Sequence, residues 1–242
     1  MRVIPILLLE NNRLVKTIQF KKPVYVGDPI NAVRIFNDKE VDELVLLEIN
    51  ATKEKKRPDF KLLERIVSEA FMPIGYGGGI KTIEDVKTLF SLGIEKIVLN
   101  SLLFENQKEV VKIIEHYGSQ SVVACIDIKK NLFGKKYPYF KGIDKTGPND
   151  ILEFATHCQE IGIGEIILQS VDKDGTGLGY DIDILKQISG SLNIPVVIAG
   201  GAASGADLKL AFENGASAAA AGSMFVFNGK HRAVLISYTN KY

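Results

Sequence analysis

The sequence predicts an α/β fold, a (β/α)8 TIM barrel built from two similar (β/α)4 halves. Short apolar runs alternate with amphipathic stretches of helical period along the 242 residues. The apolar runs are hydrophobic on both faces, as in a buried parallel sheet. A glycine-rich motif occurs twice, at 74–80 and 197–202. A doubly wound open sheet is the alternative, but the duplication favours the barrel because two equal halves can close into one ring.

The elements follow one another in the order that such a barrel requires. Helix starts carry N-cap residues and helix ends carry glycine, as at Thr82 and Gly93. After Phe227 only a weak eighth helix is expected, and residues 1–242 are predicted to form a single domain. The predicted strands are 3–9, 43–49, 73–76, 96–99, 121–126, 165–169, 195–199 and 218–221. The predicted helices are 29–37, 60–70, 82–92, 106–116, 149–161, 182–189 and 205–214.

Composition excludes several classes of function. A net charge of +1 creates no field for nucleic acid, and no run reaches the ~18 apolar residues of a membrane span. Cys125 and Cys158 make no disulfide framework, so a reducing, cytoplasmic location is expected. The three histidines lack metal-ligand spacing, and neither a metal nor another cofactor is predicted. The basic run 53–57 is either a solvated loop or a lid that grips substrate.

The two glycine motifs predict two phosphate sites. Glycine lets backbone N–H groups approach a phosphate closely, and a following helix N-terminus adds partial positive charge. Each motif is followed by a strand that ends in a small hydroxyl residue. Two such sites imply a phosphorylated ligand with a phosphate at each end. The predicted phosphate-binding residues are Gly78, Gly79, Asn100, Ser101, Gly200, Gly201, Gly222 and Ser223.

Acidic residues at other strand ends are candidates for chemistry, since barrel enzymes place function at the C-terminal strand ends. Asp127 directly follows an apolar run. A carboxylate at such a mouth can have a raised pKa and act as acid or base, whereas pairing within a loop is the alternative. Asp174, with Gly175, is either a second acid–base group or a turn residue. Glu48 is predicted to be a polar ligand contact.

Several motifs together resemble the HisF family, the cyclase subunit of imidazole glycerol phosphate synthase. They are 27–29, 42–44, 76–80, 118–120, 172–176, 179–181 and 200–202. The resemblance extends over residues 3–227. The HisA isomerase shares the barrel and the phosphate loops, but 118–120 and 172–176 point to HisF.

The resemblance implies a lyase/synthase subunit without cofactors. A HisH-like glutaminase would supply ammonia, which passes through the barrel to an open-chain bisphosphate, an aminoimidazole carboxamide ribonucleotide. In the family, two aspartates at the ends of strands 1 and 5 do the acid–base work. Asp127 matches the second, but Leu8 stands at the first, with Glu10 as a possible replacement. Lys16 matches a lysine after strand 1 that could close over the substrate.

The resemblance also implies an ammonia gate at the bottom of the barrel, formed here by Arg2, Glu43, Lys96 and Glu165. A stabilising ion-pair ring is the alternative interpretation. Three hypotheses stay open. The chain is a cyclase-type subunit, or it is a cyclase-deficient ammonia conduit for another acceptor such as a surface-polysaccharide sugar, or it is a non-catalytic scaffold that senses a phosphorylated metabolite for the glutaminase. The intact gate favours ammonia passage with altered chemistry at the top.

Overall fold

A computed structural model of the protein describes residues 1–140, 150–229 and 231–239. Strands and helices alternate along this part of the chain. The strands are β1 (Arg2–Glu10), β2 (Arg13–Ile18), β3 (Lys21–Gly27), β4 (Leu44–Glu48), β5 (Ile74–Gly77), β6 (Lys96–Leu99), β7 (Val122–Lys130), β8 (Lys136–Pro138), β9 (Glu165–Ser170), β10 (Val196–Ala199), β11 (Ala218–Ala221), β12 (Phe227–Asn228) and β13 (Ala233–Val234). The helices are α1 (Pro29–Asp38), α2 (Phe60–Val67), α3 (Ile83–Ser91), α4 (Ser101–Glu105), α5 (Gln107–Tyr117), α6 (Ile151–Glu160), α7 (Ile182–Ser189), α8 (Gly205–Glu213) and α9 (Ser223–Val226).

Eight parallel strands form a closed ring in the order β1-β4-β5-β6-β7-β9-β10-β11. The ring closes because β1 also pairs in parallel with β11, from Arg2 opposite Ala218 to Pro5 opposite Ala221. This closure confirms the (β/α)8 barrel and excludes the open sheet. The two halves of the chain contribute four strands each.

Two hydrophobic clusters form the core. The larger one lies between the strands and the surrounding helices, where Phe36, Leu63 and Ile166 are fully buried. The smaller one fills the barrel interior with Ile4, Ile6, Val45, Val98, Val123, Cys125, Ile167, Val197, Ala199, Ala218 and Ala220. The inward side chains on β10 and β11 are mostly alanines, so this side of the interior is lined by small groups.

In the described ranges, the structure adds five strands that the sequence pattern did not predict, and three of them lie at the C-terminal mouth of the barrel. β2 and β3 continue from β1 as antiparallel strands, and β8 pairs with the extended end of β7. The predicted strand 121–126 was therefore too short. The buried apolar run stops at Ile126, but the chain stays extended to Lys130 because β8 supplies hydrogen-bond partners.

The seven helices predicted from the helical period lie where it placed them, with ends that differ by up to three residues, whereas the short helices α4 and α9 were not predicted. The first residue of the predicted helix 149–161, Asn149, lies outside the described residues. The eighth helix was wrong: a short hairpin of β12 and β13 follows Phe227, and Tyr238 then packs on Phe225 and donates to Val3 O at 3.2 Å. None of the helices in the described ranges is long and apolar enough to span a membrane.

Candidate active site

A cavity opens at the C-terminal ends of the eight barrel strands. The structure brings every predicted catalytic and substrate-binding residue to its wall. These are Lys16, Glu48, Gly78, Gly79, Asn100, Ser101, Asp127, Asp174, Gly175, Gly200, Gly201, Gly222 and Ser223. The strands and their first turns position these residues, because parallel strands end together at one edge of a barrel.

The first glycine motif forms a tight turn after β5. Gly78 has a φ of +121°, and a Cβ there would lie 2.6 Å from the carbonyl oxygen of Glu48. Only glycine fits a backbone that is both left-handed and this close to its neighbour. Across the cavity wall, the Thr52 and Ser101 hydroxyls lie 3.0 Å apart. The turn thus presents backbone and hydroxyl groups of the type that bind phosphate.

The second glycine motif forms the corresponding turn after β10. Gly201 has a φ of +111°, and a Cβ there would overlap the carbonyl oxygen of Gly179. The Gly179 N–H donates to Gly201 O at 2.8 Å, which holds the two loops together. Gly222 lies beside the ammonium group of Lys16, so this turn has a cation next to its open backbone.

Asp127 lies at the C-terminal end of the barrel part of β7, inside the cavity. The Asn100 amide donates to the Asp127 carboxylate at 3.2 Å and to the Cys125 carbonyl at 2.8 Å. The Cys125 thiol lies 3.8 Å from the other carboxylate oxygen. These contacts fix the carboxylate towards the cavity, where it can exchange a proton with a ligand.

Leu8 lies on the opposite wall. β1 and β7 are separated by three strands on one side of the eight-stranded ring, so their ends face each other across the mouth. Leu8 pairs with Leu47 of β4, and both line the cavity. Glu10 does not line it; its carboxylate instead accepts a hydrogen bond from the Asn50 amide at 2.6 Å. The cavity therefore has one acidic wall and one apolar wall.

Lys16 lies on strand β2 rather than in a mobile loop, and it is buried. Its ammonium donates to Ile6 O at 2.5 Å. Burial lowers the pKa of Lys16 to about 8, and the nearby Asp174 carboxylate opposes this shift. Burial likewise raises the pKa of Asp174, which accepts from Thr17 Oγ1 at 2.9 Å and Gln169 Nε2 at 3.3 Å. The buried ammonium of Lys16 and the carboxylate of Asp174 thus lie close enough to interact electrostatically.

Glu48 lines both this cavity and a second one under the loop 50–58. Burial raises the pKa of its carboxyl group to about 7, and the hydrogen bond from the Asn50 N–H at 3.2 Å reduces the shift. The carboxyl group is therefore partly protonated near neutral pH. In that state it can donate a hydrogen bond to a ligand as well as accept one.

The opposite end of the barrel carries a ring of charge. Lys96 Nζ lies 3.2 Å from the Glu43 carboxylate and 3.0 Å from the Glu165 carboxylate. Arg2 binds the same two carboxylates, with Nη1 3.0 Å from Glu43. All four predicted gate residues thus form one closed ring of alternating charge at the N-terminal strand ends.

Sequence patterns did not predict several residues in the cavity wall. Thr17 lies on β2, whereas Phe20 and Thr52 come from turns; all three are outside the barrel strands. The sequence contains a weak indication that Thr17 reaches the cavity, since Thr17 directly follows the predicted substrate contact Lys16 on the same short strand. Of the basic run 53–57, no residue lines the cavity; Lys56 pairs with Glu54 and Arg57 with Asp85, both at 2.5 Å. The structure therefore favours a surface loop here over a lid.

Among the residues that the structure describes, no group of three or more His, Cys, Asp or Glu side chains is placed so that it could hold a metal ion.

A family model and individual relatives of this chain all indicate the same protein family. The family model described as histidine biosynthesis protein matches residues 2–232. A Leptospira interrogans protein, provisionally named imidazole glycerol phosphate synthase subunit HisF, is 47% identical over 245 residues, which cover 99% of this chain and 95% of the relative. A Pseudomonas aeruginosa protein, provisionally named subunit hisF2, is 48% identical over 238 residues, with 98% and 95% covered. The imidazole glycerol phosphate synthase subunit HisF of Streptococcus sanguinis is 36% identical over 225 residues, with 93% and 89% covered.

Proposed function

The chain belongs to the HisF family of histidine biosynthesis proteins, and from this premise we propose that it is the ammonia-using subunit of a glutamine amidotransferase complex. A HisH-like glutaminase binds at the N-terminal end of the barrel and releases ammonia there. Ammonia enters between the four gate residues, crosses the barrel interior and reaches a phosphorylated acceptor held in the cavity.

The observation that carries this proposal is the alignment of ring, interior and cavity on one axis. Lys96 is the first residue of β6 and Asn100 directly follows its last one, so the ring and the cavity floor lie roughly 13 Å apart. Between them Val45, Val98 and Ile167 form part of the apolar interior. A small neutral molecule can cross such a layer, whereas an ion would lose its hydration at high cost. The apolar interior along the barrel axis is therefore suited to the passage of neutral ammonia.

In the cavity, the two glycine turns would hold the two phosphates of the acceptor. Asp127 would act as the acid–base group, with its orientation fixed by Asn100. For the cyclase reaction of the family, a second acid–base group is expected at the end of β1, where Leu8 stands. The loss of one such group costs on the order of 10²–10⁴-fold in rate. We therefore expect slow cyclisation of the family's bisphosphate substrate.

The apolar wall of Leu8 and Leu47 favours a second candidate function. A chain that passes ammonia to a different acceptor needs the gate and the barrel axis, but it does not need the second carboxylate. In this function the amidated acceptor would be another phosphorylated or nucleotide-linked compound, such as an activated sugar.

Reconstitution tests the proposal. The chain would be mixed with a HisH-like glutaminase, glutamine and the bisphosphate, and imidazole glycerol phosphate would be followed by chromatography. We expect bisphosphate binding by calorimetry and slow product formation that requires both the glutaminase and glutamine. Binding without any product would support the second candidate. Failure to bind either the glutaminase or the bisphosphate would contradict the proposal as a whole.

A further inference from the structure

The β7–β8 hairpin carries two large apolar side chains at its tip. Leu132 and Phe133 have relative exposures of 101% and 96%, so no residue that the structure describes covers either side chain. Turns usually carry small or polar residues, because their side chains project into water. An adjacent pair of fully exposed large apolar residues therefore calls for an explanation beyond folding.

The tip is held in one shape by its own hydrogen bonds. The Asn131 side chain accepts from the N–H groups of Phe133 at 2.9 Å and Lys135 at 3.0 Å. The Asn131 N–H donates to Lys135 O at 2.9 Å, and Gly134 supplies the left-handed residue, with a φ of +80°. The apolar pair is thus presented by an ordered turn.

Two contacts fix the hairpin to the rest of the barrel mouth. Lys136 Nζ lies 2.7 Å from the Asp181 carboxylate at the start of α7, and the Lys130 N–H donates to the Asp172 carboxylate at 2.7 Å. Because both contacts are below the tip, they hold its direction. An anchor with a fixed direction loses little conformational freedom when it binds.

The charges beside the hairpin tip and the position of the tip on the barrel indicate what kind of partner could bind it. The exposed Lys130 and Lys135 flank the apolar pair, and residues 128–138 contain no acidic residue. The tip projects at the end of the barrel that holds the cavity, where Val24, Tyr25 and Leu178 are also exposed. The expected glutaminase site lies at the other end, so the glutaminase cannot reach this tip.

We propose that the Leu132–Phe133 tip anchors a partner protein that docks over the mouth of the barrel and presents an apolar pocket edged with acidic residues. The role of this partner rests on the proposed function. A partner in this position would receive the ammonia, or the product formed from it in the cavity, without release to solvent. A buried aromatic anchor surrounded by complementary charge is a common arrangement at protein interfaces.

Site-specific photo-crosslinking in the native host tests this inference. The photoreactive residue p-benzoylphenylalanine is placed at position 133 of the full-length chain, and a matched probe at Phe71, which is 90% exposed at the opposite end of the barrel. We expect position 133, but not position 71, to label one protein other than this chain and the glutaminase. The adduct should be lost when Lys130→Glu and Lys135→Glu are introduced together.

The labelled protein is then purified, and its binding to the full-length chain is measured. Phe133→Ser should weaken binding at least tenfold, whereas Phe71→Ser should not change it. Labelling of a second copy of this chain, labelling of the glutaminase, the absence of an adduct, or binding that is insensitive to Phe133→Ser would each overturn the inference. So would sedimentation with phosphatidylglycerol vesicles that depends on Phe133. None of these readouts requires ammonia transfer, so failure of the proposed function is a separate result.

Discussion

At the scale of single residues, the cavity is chemically asymmetric. Asp127 is held towards the ligand space by Asn100, while Leu8 occupies the equivalent place across the mouth. A leucine can neither take up nor release a proton, and Glu10 is tied to Asn50 outside the cavity. Of the two positions where the family resemblance implies an acid–base aspartate, this chain therefore carries a carboxylate at only one.

Leu8→Asp should increase the rate of imidazole glycerol phosphate formation by about tenfold or more, since a positioned acid–base group contributes on the order of 10²–10⁴-fold. The measurement is product formation from the bisphosphate with saturating ammonium, which removes the glutaminase from the assay. Leu47→Asp is the matched control, because Leu47 lines the same cavity on the neighbouring strand. Equal effects of the two substitutions would show that the position of Leu8 has no special role.

Glu48→Gln should change how stability depends on pH. The pKa of Glu48 is raised from 4.5 to about 7, so between these values the folded protein binds more protons than the unfolded chain. The free energy of unfolding of the wild type should therefore fall as pH rises through this window. Because the side chain is only half-buried, solvent screening reduces the expected loss to about 1–2 kcal/mol.

The glutamine variant should lack this loss and be the more stable protein above pH 7, with equal stabilities near pH 4.5. Urea unfolding at several pH values measures the difference. Glu213→Gln, at an exposed side chain, serves as the control and should leave the profile unchanged. A parallel profile for wild type and Glu48→Gln would mean that burial does not raise this pKa.

The location of a residue in the cavity could be predicted from the sequence where the residue ends a barrel strand. Asp127 and Asn100 follow apolar runs directly, and the topology brings all such positions to one cavity. Thr52 and Phe20 were missed, because they reach the cavity from turns whose shape depends on distant hydrogen bonds. The Thr52 hydroxyl, for example, lies beside Ser101, which is 49 positions away.

At the scale of elements, the barrel strands and their helices were predictable because burial imposes a clear period on them. The additional strands at the C-terminal mouth of the barrel, β2, β3 and β8, could not be predicted in this way. β2 pairs with β1 on one edge and β3 on the other, and its four central residues are all buried, so it shows no alternation. β8 is three residues long and pairs with β7 beyond the buried run, so it is too short to show a pattern. Lys16 was consequently assigned to a loop, although pairing and burial place it on a strand.

The glycine turns give an element-scale prediction. Gly201→Ala should destabilise the fold by roughly 3 kcal/mol or more, since it combines a left-handed φ with overlap on Gly179 O. It should also abolish the increase in melting temperature that the bisphosphate causes in the wild type. Gly229→Ala is the matched control: φ is +69° there, but no atom lies within 4 Å of the added Cβ.

The control isolates backbone strain, which costs about 1–2 kcal/mol for an alanine in the left-handed region. Thermal unfolding with and without the bisphosphate gives both quantities. If Gly201→Ala and Gly229→Ala lowered the melting temperature equally, and the bisphosphate still stabilised Gly201→Ala, the close approach at this turn would have no role in phosphate binding.

At the scale of the whole molecule, the fold could be predicted from the sequence. The arrangement of the charge ring, the apolar interior and the cavity along the barrel axis could be predicted only in part. The doubled glycine motif predicted a closed barrel, and the β1–β11 pairing confirms it. The charge ring and the cavity lie at opposite ends of one apolar interior, which no local pattern reveals. The surface hairpin with Leu132 and Phe133 was likewise invisible, because exposure depends on the complete fold.

Isotope competition tests the central claim, that nitrogen travels inside the barrel from the glutaminase to the cavity. The complex is supplied with glutamine labelled with ¹⁵N in the amide group, the bisphosphate and an excess of unlabelled ammonium, and the ¹⁵N content of the imidazole glycerol phosphate is read by mass spectrometry. The ratio does not depend on how slowly the product forms, so the wild type can be used at high enzyme concentration. The account predicts a product that carries predominantly the glutamine nitrogen. A product with the isotopic composition of the bulk ammonium would contradict it.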